Sequence, residues 1–179
     1  MSYFSFVKDD ILRSNLDRAL DLILELVSIS VSEQYENKDI FVSSLRKTII
    51  IQTASIIEAL LLWKLKLVYT SGEVELSDDW KSFDIKILHT ISSSEEIFAG
   101  KRKKEKKKLD RLDFLRLTDL CFNLAILKGK KFRQQIDKVR NLRNRLHIGG
   151  LVEVEKEYTP IDLEFCFYVL EKLKTKISS

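Results

Sequence analysis

At 179 residues the chain has the length of one domain with its own core. Apolar residues make up 45% and charged residues 32%, which excludes a disordered chain, and five glycines with one proline exclude a turn-rich β fold. The net charge of +4 covers a background of −9 around two basic segments, Lys101–Lys108 (+6) and Lys128–His147 (+7), a footprint suited to a polyanionic partner.

In chain order, MSYFSFVKDD lacks the apolar stretch of a secretory signal. Leu12, Leu16, Ala19, Leu20, Ile23 and Leu26 recur at helical spacing, so a helix is expected from about Asp10 to Val27, capped by Asp9 or Asp10. SVSEQYENKD is a polar loop. A second helix begins near Asp39 and extends to about Tyr69, with its exit at Gly72. It is apolar nearly all round between Ile49 and Leu62, which marks it as the central helix. Its most apolar part, IIIQTASIIEALLLW, carries Gln52, Ser55 and Glu58 and is short for a bilayer span, so no membrane segment is expected.

Residues 73–100 are ambiguous. Phe83, Ile85 and Ile87 alternate as in a strand, whereas Phe83, Ile87, Leu88 and Ile91 fit a helix, and helix is the assignment made. GKRKKEKKK then forms a solvated linker or helix extension. A fourth helix is expected from about Asp110 to Leu127. After Gly129, a fifth runs from about Phe132 to Leu146 and ends before Gly149 and Gly150. LVEVEKEY allows a small β excursion. Thr159, Pro160 and Asp162 form a helix start, and that helix continues to about Thr175. All five glycines then fall between elements. The expected fold is all-α: one domain over residues 1–179, an antiparallel bundle of five to six helices with at most a minor β excursion. Cys121 and Cys166 fall in apolar helical patterns and are expected to be reduced core residues, with no metal site. This places the chain in the cytoplasm.

The chemistry concentrates in VRNLRNRLHIGGL, residues 139–151. At about 100° per residue, with Arg140 at 0°, Asn144 lies near 40°, His147 near −20° and Arg143 near −60°. Those four share a stripe. Val139, Leu142 and Leu146 lie near 200° to 260° and form the buried face, so the polar stripe borders the core. Asn141 and Arg145 point toward the other flank. A neutral histidine suits removal of a proton from an RNA 2′-hydroxyl, and arginine forks match the charge that builds on the attacked phosphate. Adjacent arginines lower the histidine pKa and a helix C-terminus raises it.

The segment Arg140-Asn141-Leu142-Arg143-Asn144-Arg145-Leu146-His147 resembles the signature of the HEPN superfamily. These are small helical-bundle domains of prokaryotic toxins, defence ribonucleases and related proteins, with an arginine, a polar residue and then a histidine near a helix end. The resemblance covers roughly Ile49 to Gly150 and is strongest over LDFLRLTDLCFNLAILKGKKFRQQIDKVRNLRNRLHIGG. It includes an Asp-Phe helix and an apolar central helix carrying a glutamate. One departure concerns spacing. Arg143-Asn144 stands only three residues before His147, whereas many members have one more, so Arg140 fits the family's arginine better, with Arg143 assisting.

The resemblance implies a metal-independent endoribonuclease with no cofactor, working as a homodimer whose two basic motifs meet at one cleft. The roles would be toxin, phage defence or RNA processing. His147 would be general base or acid, Arg140 and Arg143 would stabilise phosphate charge, and Asn144 with Asn141 would orient groups. Lys130, Lys131, Lys138, Asn141 and Arg145 would contact RNA. Glu58 would support an arginine of the site.

The alternative is a non-catalytic module that binds RNA or a protein such as an antitoxin or a nucleotidyltransferase. A purely structural bundle is the third possibility. Each group also has an ordinary explanation. His147 would cap a helix end, the arginines would complement the helix dipole, Glu58 would form an ion pair across the bundle, and Lys101–Lys108 would be solvated. His89, Trp63 and Trp80 are assigned to structure.

Overall fold

The computed structural model describes residues 2–35, 38–145 and 158–178, and at 77–79 and 105 the backbone alone. Among these residues are five α-helices: α1 (Asp10–Ser30), α2 (Asp39–Val68), α3 (Phe114–Asn123), α4 (Lys130–Asn144) and α5 (Pro160–Ile177). Between α2 and α3 lie two strands, β1 (Glu73–Ser92) and β2 (Glu95–Lys108). The chain divides into two compact units, one formed by residues 1–65 with 113–179 and the other by residues 66–112.

The helical unit follows its local signals. Asp9 caps α1, its side chain accepting from the Leu12 N–H at 2.9 Å. α2 is buried around much of its circumference, through Ile49, Ile50, Ala54, Ile56, Ile57, Leu60, Leu61 and Leu65. Its one fully buried hydroxyl, on Thr53, donates to the Ile49 carbonyl at 2.8 Å, so no polar group is left unmet there. At 30 residues, with mean hydropathy 1.5 over its most apolar window, α2 is long and apolar enough to cross a membrane. Length therefore does not set it apart from a span, contrary to expectation. Its burial does: 56% of that window is covered inside the fold, as befits a core helix.

α5 starts on a capping box in which the Thr159 side chain accepts from the Asp162 N–H and Asp162 accepts from the Thr159 N–H, with Pro160 in the first turn. Tyr158 ties this start to α2, donating its N–H to Ser43 Oγ at 3.1 Å and accepting from Arg46 at 3.3 Å through its carbonyl. Both cysteines are buried core groups as expected, and burial pushes each thiol up to about 12.

The all-α expectation is wrong. Residues expected to be helix and linker form an antiparallel ribbon, with Glu73 opposite Lys108 and Phe83 opposite Lys101, closed by a two-residue loop at Ser93 and Ser94. β1 is rich in aromatic and β-branched residues, which favour a pleated strand. β2 lacks apolar alternation over its lysine run; backbone pairing holds it to β1, and acids of β1 lie beside its lysines. Lys106 faces Glu75 in the register, Lys101 pairs with Asp84 at 3.3 Å and Lys104 approaches Glu75 at 3.9 Å. The run is therefore partly neutralised by the strand beside it and is not a solvated linker. Gly100 lies inside β2, so not every glycine falls between elements; a Cβ there would meet Ile85 and the Phe83 carbonyl at 3.4 Å. Gly72 does mark an exit, at φ +67°. Trp63 is buried, but Trp80 is 45% exposed on the ribbon, with Arg102 and Lys104 over its ring. Exposed His89 lies on β1.

The remaining helices differ at their ends. α3 is shorter than expected because Asp113 is its cap, accepting from the Arg116 N–H at 2.9 Å, and Leu109–Arg111 forms a separate single turn. α4 begins two residues early, straight after Gly129 at φ +100°, and ends at Asn144. The β excursion expected at LVEVEKEY falls, apart from Tyr158, outside the described residues.

Candidate functional site

α4 carries the candidate residues because its sequence separates two faces. Phe132, Ile136, Val139 and Leu142 recur at three- and four-residue spacing and are buried. That fixes the rotation of the helix, and Arg140, Arg143 and Asn144 then emerge along one flank. All three line an open cleft of about 350 Å³, together with Glu58 of α2 and Asp113, Phe114 and Leu115 at the start of α3. The expected stripe therefore forms a cleft wall as far as Asn144. His147 lies outside the described residues.

The two arginines are held differently. Arg143 Nη1 lies 3.0 Å from Glu58 Oε2, and its guanidinium stands 6.0 Å from the centre of the Phe114 ring. Arg143 is thus fixed by charge on one side and an aromatic face on the other. Arg140 Nη2 lies 3.5 Å from Asp137 Oδ1, long for a charge-assisted hydrogen bond. Among the described residues, neither Arg140 Nε nor Asp137 Oδ1 has a hydrogen-bond partner, although both atoms are buried. A buried donor without a partner is costly; the Arg140 Nη groups, whose one ion pair among the described residues is that long one, keep more capacity for an incoming oxyanion than those of Arg143. The first turn of α3 adds the positive end of a helix dipole to the same cleft. Glu58 and Asp113 oppose it, so the wall is mixed in charge. An anion there would be met by directed donors rather than by a broad positive field.

The other expected contacts lie elsewhere on α4. Asn141 and Arg145 are exposed and absent from the cleft wall, as helical geometry predicted. Lys130 and Lys131 are exposed in the first turn of α4. Lys138 is exposed with its ammonium 4.3 Å from the centre of the Phe165 ring. The sequence reading gave no site role to Asp113, Phe114 or Asp137. The Asp-Phe pair was legible as part of the motif, but only its position at the start of α3 puts it on the cleft. Asp137 stands one helical turn before Arg140, a spacing that points to an ion pair. Among the described residues, no cluster of histidine, cysteine and acidic side chains can hold a metal ion.

The chain matches no family model, no curated protein and no solved structure.

Proposed function

We propose that the chain is a HEPN-like, metal-independent endoribonuclease acting in the cytoplasm. The observation that carries this reading is the convergence of Arg140, Arg143 and Asn144 on one open cleft, with Glu58 holding Arg143 and leaving Arg140 unsaturated. In the proposed reaction His147 takes the proton of an RNA 2′-hydroxyl. That oxygen attacks the adjacent phosphorus and the bond to the 5′-oxygen breaks. The 5′-oxygen leaves with the proton that the His147 imidazolium returns, giving a 2′,3′-cyclic phosphate and a 5′-hydroxyl. Arg140 stabilises the charge on the non-bridging oxygens, Arg143 assists, and Asn144 orients the phosphate or the imidazole. The resemblance supplies the homodimer, in which two such motifs share a cleft, and the role in toxin action, phage defence or RNA processing.

The test is cleavage of a labelled single-stranded RNA in EDTA, with the ends identified. The proposal expects cyclic phosphate ends, loss of cleavage in His147→Ala, and at least a hundredfold loss in Arg140→Ala. Cleavage that depends on an added divalent cation, or that survives His147→Ala, overturns it. Binding of RNA without cleavage leaves the second reading, a non-catalytic module serving RNA or a protein such as an antitoxin or nucleotidyltransferase. That reading is favoured by the acids that share the cleft wall, Glu58 and Asp113, because they oppose the approach of a phosphate.

A further inference from the structure

α4 and α5 present a second surface, separate from the cleft. Lys131, Gln135 and Lys138 share one side of α4, roughly opposite Arg140 at about 100° per residue. Beside them α5 sets Phe165, Tyr168, Lys172 and Lys176, which also share a side. The two rows interlock. Lys172 Nζ donates to Gln135 Oε1 at 3.0 Å and to Tyr168 Oη at 3.2 Å. Lys138 lies over Phe165, and both Lys172 and Lys176 lie within about 5.5 Å of the Phe132 ring centre.

Three of these lysines do not spend their charge on acids. Among the described residues, Lys131, Lys138 and Lys172 form no ion pair with a carboxylate. The acids of α5 are engaged or peripheral: Glu171 pairs with Lys174 at 2.8 Å, Asp162 is held in the Thr159 cap, and Glu164 stands exposed beside the row. The Tyr168 phenol registers the positive surroundings. Its pKa is lowered, first by the hydrogen bond from Lys172, then by Gln135, with the charges of Lys172 and Lys131 adding. Tyr168 is 52% exposed among these cations.

We propose that this α4–α5 face docks single-stranded nucleic acid, its lysines holding successive phosphates and the exposed Tyr168 ring stacking on a base. Charge complementarity selects a polyanion, and an open aromatic ring set among lysines selects one with accessible bases over an acidic protein. The surface rests on the RNA reading for its ligand class and does not need cleavage in the cleft.

The probe is a fluorescein-labelled 2′-O-methyl oligouridylate, which binds but has no free 2′-hydroxyl to attack. Anisotropy is titrated across a salt series. The triple variant Lys131→Gln, Lys138→Gln, Lys172→Gln is expected to bind at least tenfold more weakly at 0.1 M salt. Its log–log salt slope should fall by about 2, near 0.7 per lysine. Tyr168→Ala should lose about tenfold while Tyr168→Phe keeps the affinity. If the triple variant loses its helical circular dichroism, the exposed single change Lys131→Gln decides, with an expected slope change of about 0.7. An unchanged slope in a folded variant overturns the proposal. So does indifference to Tyr168→Ala combined with equal competition by polyglutamate, which identifies an acidic protein surface instead. Cleavage of unmodified RNA is scored separately. Its absence with this binding intact removes the ribonuclease reading alone, and its presence with no effect of the lysine variants on binding removes this one alone.

Discussion

Glu58 of α2 and Arg143 of α4 meet at 3.0 Å, with their side chains 24% and 32% exposed. The contact links the central helix to the helix that carries the basic motif. It also fixes which way the Arg143 fork faces along the cleft wall. Solvent reaches both groups, so the pair is worth less than a fully buried one, about 1–2 kcal/mol. Glu58→Gln should lower the melting temperature by roughly 2–6 °C. A double-mutant cycle with Arg143→Gln should return a coupling above about 0.5 kcal/mol that shrinks in 1 M salt. Zero coupling would make the contact incidental.

Arg140 presents the opposite balance. Among the described residues its Nε is buried without a partner, and the one ion pair it makes, with Asp137, is long at 3.5 Å. A group held this poorly contributes little to folding, and function then explains its presence better than stability does. Arg140→Met should change unfolding free energy by no more than about 1 kcal/mol while removing the RNA cleavage proposed above. Chemical denaturation and a cleavage assay on the same preparation check both halves. A loss beyond about 2 kcal/mol would show that Arg140 is mainly a structural residue.

The helical parts of the fold were legible because each carried a signal that does not depend on distant partners. Asp9 before α1, the Thr159-Pro160-Asp162 start of α5 and the apolar circumference of α2 are such signals. The cleft wall was legible for a similar reason: the buried stripe Phe132, Ile136, Val139 and Leu142 sets the helix rotation, and the positions of Arg140, Arg143 and Asn144 follow from it. The ribbon was not legible. Its stabilising contacts are cross-strand, such as Asp84 with Lys101, and neither strand shows them alone. The alternation of Phe83, Ile85 and Ile87 also stops at Ile87, where register shifts follow between Ile87 and His89 and between Thr90 and Ser92. With the alternation interrupted, Phe83, Ile87, Leu88 and Ile91 imitate helical spacing.

The cysteines allow a prediction with a defined sign. Burial raises both thiols to about 12, so the folded state keeps protons that the unfolded state releases above about pH 9. Their contribution to stability is complete below the unfolded pKa and is lost as pH rises toward the folded value. Each thiol can therefore take up to about 1.4 kcal/mol from stability per pH unit between pH 9 and 12. Cys121→Ala should flatten the alkaline side of the stability profile by up to that slope. In the native protein at pH 8, neither thiol should react with a disulfide reagent within minutes, and both should react in denaturant. Fast labelling of native Cys121, which is 0% exposed, would contradict its place in the core.

Among the described elements, the ribbon should be the least protected. Two strands alone make a marginal sheet, and Ile85, Ile87, Leu88, Ile91, Ile97 and Phe98 are each about half exposed along it. Local opening then costs little apolar burial. Backbone amides of β1 and β2 between Trp80 and Lys104 should exchange with solvent at least tenfold faster than those of α2 between Ile49 and Leu61. The pairing itself can be challenged by Asp84→Lys, which sets a like charge beside Lys101 and should speed exchange there. Uniform protection across the ribbon and α2 would mean that the ribbon is covered in solution, and a concentration series of the same exchange measurement would then show whether a second copy covers it.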